Sequence, residues 1–151
     1  TKPIFVKLPI NLAMDDLDTL LRVCVQFRVA GVIIGNLTKV RDPRLIHDPI
    51  AHKVKGGISG KPTEDLSNDC ISYTHKHYGD SLYIIGLGGI FSAEDAYAKI
   101  RAGASLVQLI TGMIFEGPQL IGEINAGIVK LLERDGFATI AEAVGSAHKT
   151  S

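Results

Sequence analysis

A lysine stands inside an apolar run, Ile4-Phe5-Val6-Lys7-Leu8. An ammonium among strand residues is costly without a polar or anionic partner. Lys7 therefore points to a ligand or a carboxylate nearby, or else to a side chain that snorkels out from a sheet rim. Gly86-Leu87-Gly88-Gly89-Ile90 follows a second apolar run and precedes an N-capped helix. Such glycines let backbone N–H groups approach an anion such as a phosphate, though they serve equally in a tight turn with no ligand. Asn36 and the pair Thr111-Gly112 follow two further apolar runs. In parallel α/β folds the reactive groups gather where strands hand over to loops. Lys7, Asn36, Gly88 with Gly89, and Thr111 with Gly112 all occupy that position.

Other candidates fail on spacing. Gly56-Gly57-Ile58-Ser59-Gly60-Lys61 suggests a phosphate loop of the Walker A type, but Lys55 displaces the first glycine and Pro62 replaces the Ser/Thr that would hold magnesium. A lid touching a ligand through backbone amides and a loop that merely turns both remain open for it. Phe91 stands where the third glycine of a dinucleotide-binding Gly-x-Gly-x-x-Gly would fall. His47, His52, His75 and His77 lack metal-ligand spacing, and Ser59 and Ser92 read as loop and cap residues rather than nucleophiles. Cys24 and Cys70 form neither a Cys-x-x-Cys nor a Cys/His cluster, so two reduced, buried thiols are expected.

The elements that must position these residues repeat one phrase four times: a short apolar run, a Gly/Asn/Pro turn, then an amphipathic stretch. Strands are expected at Ile4–Leu8, Gly31–Gly35, Leu82–Gly86 and Ser105–Leu109. Helices are expected at about Met14–Arg28, Leu66–His77, Ala93–Ala102 and Pro118–Arg134, with a short one at Ile140–Val144. Asp15, Asp16 and Asp18 favour the dipole of the first helix, Ser92 with Asp95 forms a capping box, and Gly136 stops the fourth helix. The polar stretch from Asn36 to Asp65 is long for a connection, which marks it as a functional lid or a floppy insert.

Four strands apolar on both faces, separated by helices, mean a parallel sheet: the fold class is α/β, (β/α)4. Divided over four units, 151 residues give about 38 each, whereas a complete eight-unit barrel takes roughly 250 residues. The chain reads as half a barrel, with two apolar sheet edges that call for a missing half or for self-association. Its start, one proline before a core strand, reads as a cut between units, with no leader in front of it.

Composition sets the outer limits. At 46% apolar and 21% charged the chain has the make-up of a globular domain. Sixteen basic residues balance sixteen acidic ones, which leaves no broad cationic field for nucleic acid. No apolar run approaches the roughly 20 residues that span a bilayer.

Four separated pieces carry a resemblance: Val6-Lys7-Leu8-Pro9, Gly56 to Pro62, Ile84-Ile85-Gly86-Leu87-Gly88-Gly89-Ile90, and Lys99-Ile100-Arg101-Ala102-Gly103-Ala104-Ser105-Leu106-Val107-Gln108. Their order and spacing resemble the dihydroorotate dehydrogenase family, and Arg134 to Phe137 with Glu142 to Gly145 resembles its quinone-reducing class 2 branch. The resemblance runs nearly end to end and implies the C-terminal half of an FMN-binding TIM (β/α)8 barrel. It implies that Lys7 contacts the flavin ring, that Gly35, Gly60, Gly88, Gly89, Ile110, Thr111 and Gly112 lie at FMN, and that Asn36 and Leu37 meet dihydroorotate or orotate. A cation at the pyrimidine edge of the flavin would stabilise negative charge on its reduced form.

Two departures stand out: the family's usual Thr-Asn-Thr-Thr reads Gly35-Asn36-Leu37-Thr38, and Ile110 replaces an aromatic residue. By the same resemblance the catalytic base, a serine, and the helices that meet quinone and membrane precede this segment, which alone should be inactive. The implied location is peripheral to the inner membrane, on the bacterial cytoplasmic face or in mitochondria. Two other readings stay open: a non-catalytic half-barrel that binds a phosphate-bearing ligand, and another FMN-dependent barrel oxidoreductase.

Overall fold

Continuous apolar runs become strands and the stretches between them become helices, as their periodicities require. A computed structural model describes residues 2–49 and 53–148; His52 lies outside them. Strand β1 (Phe5–Leu8) leads to helix α1 (Met14–Gln26), β2 (Gly31–Ile34) to α2 (Glu64–Tyr78), and β3 (Tyr83–Leu87) to α3 (Ala93–Ala102). Strand β4 (Leu106–Gln108) is followed by α4 (Thr111–Glu116), α5 (Leu120–Asp135) and α6 (Ile140–Ala143). The sheet order is β1-β2-β3-β4, every pair parallel, with Leu8 opposite Ile34, Ile34 opposite Gly86 and Gly86 opposite Val107.

Helices cover one face of this sheet. Val6, Leu8, Val32, Ile34 and Ile84 pack against Leu17, Leu21, Cys24, Cys70 and Ile71 of α1 and α2. A second cluster joins Ile100 and Tyr97 of α3 to Ile124, Ile128 and Leu131 of α5. The alternate residues Phe5, Lys7, Ile33, Tyr83, Ile85, Leu106 and Gln108 point the other way. Burial on both faces, expected from the apolar runs, is not observed on that side: Tyr83 is 67% and Leu106 63% exposed. An inward face of a curved parallel sheet needs strands from the opposite side to cover it, and these four do not fold back on themselves.

Several local expectations shift. Helix α4 is not among the expected helices, since six residues with Gly112 inside them and Gly117 at their end show no period. The Asn36–Asp65 connection is not structureless: Thr38 and Ile58 exchange backbone hydrogen bonds of 2.8 and 2.7 Å, and a 3-10 turn at Lys61–Thr63 feeds α2. Thr38 Oγ1 also donates to Asn11 Oδ1 at 2.9 Å, and Arg41 donates to the carbonyl of Gly56 at 2.6 Å. Asp18 has a tertiary task beyond the helix dipole. Its Oδ1 accepts from Tyr73 at 3.0 Å and Tyr78 at 2.6 Å, clamping α1 to α2, while Oδ2 pairs with Arg22. These bonds, Tyr78 foremost, hold the Asp18 carboxyl below its usual range. Cys24 and Cys70 are buried and unpaired, and burial pushes the Cys70 thiol up to about 11.

Lys99 is fully buried between α2 and α3, its Nζ donating to Asn68 Oδ1 at 2.8 Å. Burial lowers its ammonium from 10.5 to about 8, against the pull of Glu64 and Asp95. Above pH 8 the unfolded chain therefore keeps a proton that the folded chain sheds, so this residue makes stability rise with pH until the unfolded value is reached. The Cys70 thiol acts with the opposite sign above pH 9, so the pH 8–9 interval isolates Lys99. Urea denaturation should show the wild type gaining about 1 kcal/mol over Lys99→Met between pH 8 and 9. A constant difference between the two would contradict the buried ammonium.

Candidate functional site

The C-terminal ends of all four strands open onto one cleft of about 250 Å3, slightly under the usual roughly 300–1,000 Å3 of ligand pockets. Lys7 comes from β1, Asn36 and Leu37 from the segment after β2, Gly88 and Gly89 from the turn after β3, and Ile110, Thr111 and Gly112 from the turn after β4. Gly60 reaches the same cleft from the long connection. Nine of the ten residues singled out from the sequence thus meet in one place. Gly35 does not line it: it is buried at φ +148, where a Cβ would stand 2.1 Å from the Leu87 carbonyl oxygen. Its task is the close approach of the β2 end to β3.

Close packing explains the glycines of the cleft. Gly88 (φ +111) and Gly89 (φ +74) hold conformations that side chains rarely adopt, and Cβ atoms there would lie 2.7 Å from Thr63 Oγ1 and 2.4 Å from Glu64 Cβ. The start of α2 is thereby pressed onto the turn. At Gly112 a Cβ would come within 2.1 Å of the Ile90 carbonyl oxygen. The N–H groups of Gly88 and Gly89 meet no acceptor among the described residues. Those of Thr111 and Gly112, in the first turn of α4, have no intrahelical acceptor.

Lys7 is exposed on the open face of the sheet, and its ammonium has no hydrogen bond or ion pair to a described residue. The side chains of Asn36, Ser59 and Thr111 likewise have no protein partner among the described residues. A cation, an amide, two hydroxyls and a set of free backbone N–H groups converge on the cleft, beside apolar walls from Leu37, Leu109, Ile110 and Ile114. That arrangement can hold a planar apolar body at one end and an oxyanion at the other.

Thr63 and Ser67 escaped sequence reading. Thr63 Oγ1 donates to the Gly60 carbonyl at 2.7 Å, and Ser67 Oγ donates to the Leu87 carbonyl at 2.8 Å. Thr63 fixes the 3-10 turn at the cleft rim and Ser67 ties α2 to the end of β3, contacts that no local sequence pattern announces. Among the described residues no histidine lines the cleft: His77 lies tilted against Tyr73 and His75 stacks on His148. Among the described residues no group of three or more His, Cys, Asp or Glu could hold a metal.

Fold and cleft together define an α/β protein of the barrel type, with its cleft at the C-terminal ends of parallel strands. The family model of dihydroorotate dehydrogenase matches residues 1–132. The chain belongs to the dihydroorotate dehydrogenase family. It is 43% identical over 148 residues to a dihydroorotate dehydrogenase (quinone) of Anaeromyxobacter dehalogenans, covering 98% of this chain and 40% of that protein. To the mitochondrial dihydroorotate dehydrogenase (quinone) of Arabidopsis thaliana it is 42% identical, covering 97% and 32%. The crystal structure of Eimeria tenella DHODH in complex with ferulenol superposes with a TM-score of 0.92 at 31% identity, covering 98% of this chain and 39% of that one. The chain thus spans about two fifths of the length of such relatives.

Proposed function

We propose that this chain forms the C-terminal half of an FMN-binding (β/α)8 barrel in a quinone-dependent dihydroorotate dehydrogenase, which oxidises dihydroorotate to orotate in pyrimidine biosynthesis. The observation that carries this reading is the convergence of Lys7, Asn36, Gly60, Gly88-Gly89 and Thr111-Gly112 on one cleft, within a family whose relatives bear that name. When bound, FMN supplies the hydride acceptor and passes the electrons on to quinone.

The residues present fit that group. Free N–H donors at Gly88, Gly89, Thr111 and Gly112 take the phosphate, with the Thr111 hydroxyl beside them. The Lys7 ammonium in the cleft lining would favour negative charge on the ring. Asn36 orients the pyrimidine substrate through its amide. Leu37 and Ile110 place hydrocarbon where the family's hydroxyl and aromatic groups stand, and Gly35 acts through strand spacing. No proton-accepting base is assigned to this chain. The exposed face of β1–β4 and the free edges of β1 and β4 receive the first half of the barrel, and that half also meets quinone at the inner membrane. No helix among the described residues is long and apolar enough to cross a membrane.

Flavin fluorescence tests the cofactor assignment. FMN added to the chain should show saturable quenching, and Lys7→Ala should weaken binding about tenfold, as expected for a lost charge-assisted contact. Absence of saturation with the folded chain would overturn the assignment.

A further inference from the structure

Lys61 closes the glycine-bearing segment Gly56–Lys61, yet it does not line the cleft. Its ammonium lies 2.8 Å from Glu64 Oε2 and 2.6 Å from Asp95 Oδ1. Both carboxylates belong to the frame of the Gly88–Gly89 turn. Glu64 is the residue pressed onto Gly89. Asp95 accepts the Phe91 N–H at 2.8 Å through Oδ2, two residues beyond Gly89, and its own N–H donates to Ser92 Oγ at 3.1 Å. One cation therefore bridges the start of α2 to the start of α3, on the two sides of the turn whose N–H groups are free. Asp95 is only 12% exposed, so solvent alone would screen it poorly if Lys61 were removed.

We propose that Lys61 is a positioning residue for the cofactor's phosphate, an inference that rests on the flavin reading above. Its charge offsets Glu64 and Asp95, which would otherwise repel a dianion at the neighbouring turn. The same contacts hold Gly60, one residue away, against Thr111 across the cleft, where a Cβ on Gly60 would be 3.2 Å from Thr111 Cγ2. The lysine thus sets both the potential at the anion site and the spacing of its walls.

The test compares FMN with riboflavin, which lacks the phosphate, by fluorescence titration of the 151-residue chain. Lys61→Met should lower FMN affinity at least tenfold and leave riboflavin within twofold, whereas Lys61→Arg should keep both. Adding Glu64→Gln to Lys61→Met should restore most of the FMN affinity, a rescue that a purely structural role would not show. Glu64→Gln alone, which retains the Lys61–Asp95 pair, should raise FMN affinity relative to riboflavin about threefold and keeps the test decisive if Lys61→Met unfolds. Equal losses for both flavins, or no response to Glu64→Gln, would overturn the proposal. A wild-type chain that binds both flavins equally would overturn the phosphate reading of the turn itself, and the role of Lys61 would fall with it.

Discussion

Gly89→Val should cost about 3 kcal/mol of stability and abolish flavin binding. Two independent terms make the effect large. The φ of +74 at this residue is a region that a β-branched side chain enters only under strain, at roughly 1–3 kcal/mol. The new Cβ would also stand 2.4 Å from Glu64 Cβ and 2.8 Å from its Cα, and backbone at a helix start cannot step aside as a flexible side chain can. Any relief has to come from moving α2 off the turn, which would draw Thr63 and Gly60 out of the cleft. Gly122→Ala supplies the contrast: a Cβ there meets nothing within 4 Å in the exposed part of α5, so it should gain about 0.5–1 kcal/mol of helix stability. Urea denaturation of the two variants checks both signs, and a Gly89→Val chain within 1 kcal/mol of the wild type would contradict the packing described.

Supplied with FMN, dihydroorotate and a quinone dye, the 151-residue chain should turn over at least about 10^4-fold more slowly than a complete relative such as the Anaeromyxobacter dehalogenans protein. A positioned general base alone contributes roughly 10^2–10^4-fold, and none is assigned to these residues. Lys7, Asn36 and Leu37 face solvent here, so the cleft neither excludes water from the reacting atoms nor clamps the substrate ring on its far side. Turnover within tenfold of the complete enzyme would show that the machinery of the reaction lies within this chain after all.

Much of the architecture was legible because parallel βα units write themselves as uninterrupted apolar runs between amphipathic stretches. Helix α3 was placed at its observed ends, since Ser92 caps one and Gly103 stops the other. Strand ends slipped by a residue or so where no such punctuation exists, and β4 shrank to three residues. The glycines of the cleft were legible for the same reason as the caps: a turn that brings backbone against backbone admits little else. Contacts made only by folding were not legible. Asp18 could not be seen to bind two tyrosines some sixty residues away, nor Lys99 to be swallowed between two helices on a sequence that reads as an ordinary surface pattern. For Lys7 the sequence left two readings, a partnered charge or a side chain reaching water from the sheet rim, and the open face of the sheet leaves it in water. Gly35 sits next to a cleft residue in sequence yet packs against Leu87 of β3, whose carbonyl oxygen leaves no room for a side chain there.

The central claim, that the strand ends carrying Gly88-Gly89 and Thr111-Gly112 grip the phosphate of a flavin, is tested most directly by amide NMR of the isotopically labelled chain during FMN titration. The account predicts that the N–H resonances of Gly88, Gly89, Thr111 and Gly112 shift together and saturate with FMN, and move far less with riboflavin. Shifts confined to other parts of the chain, or equal for the two flavins, would contradict it.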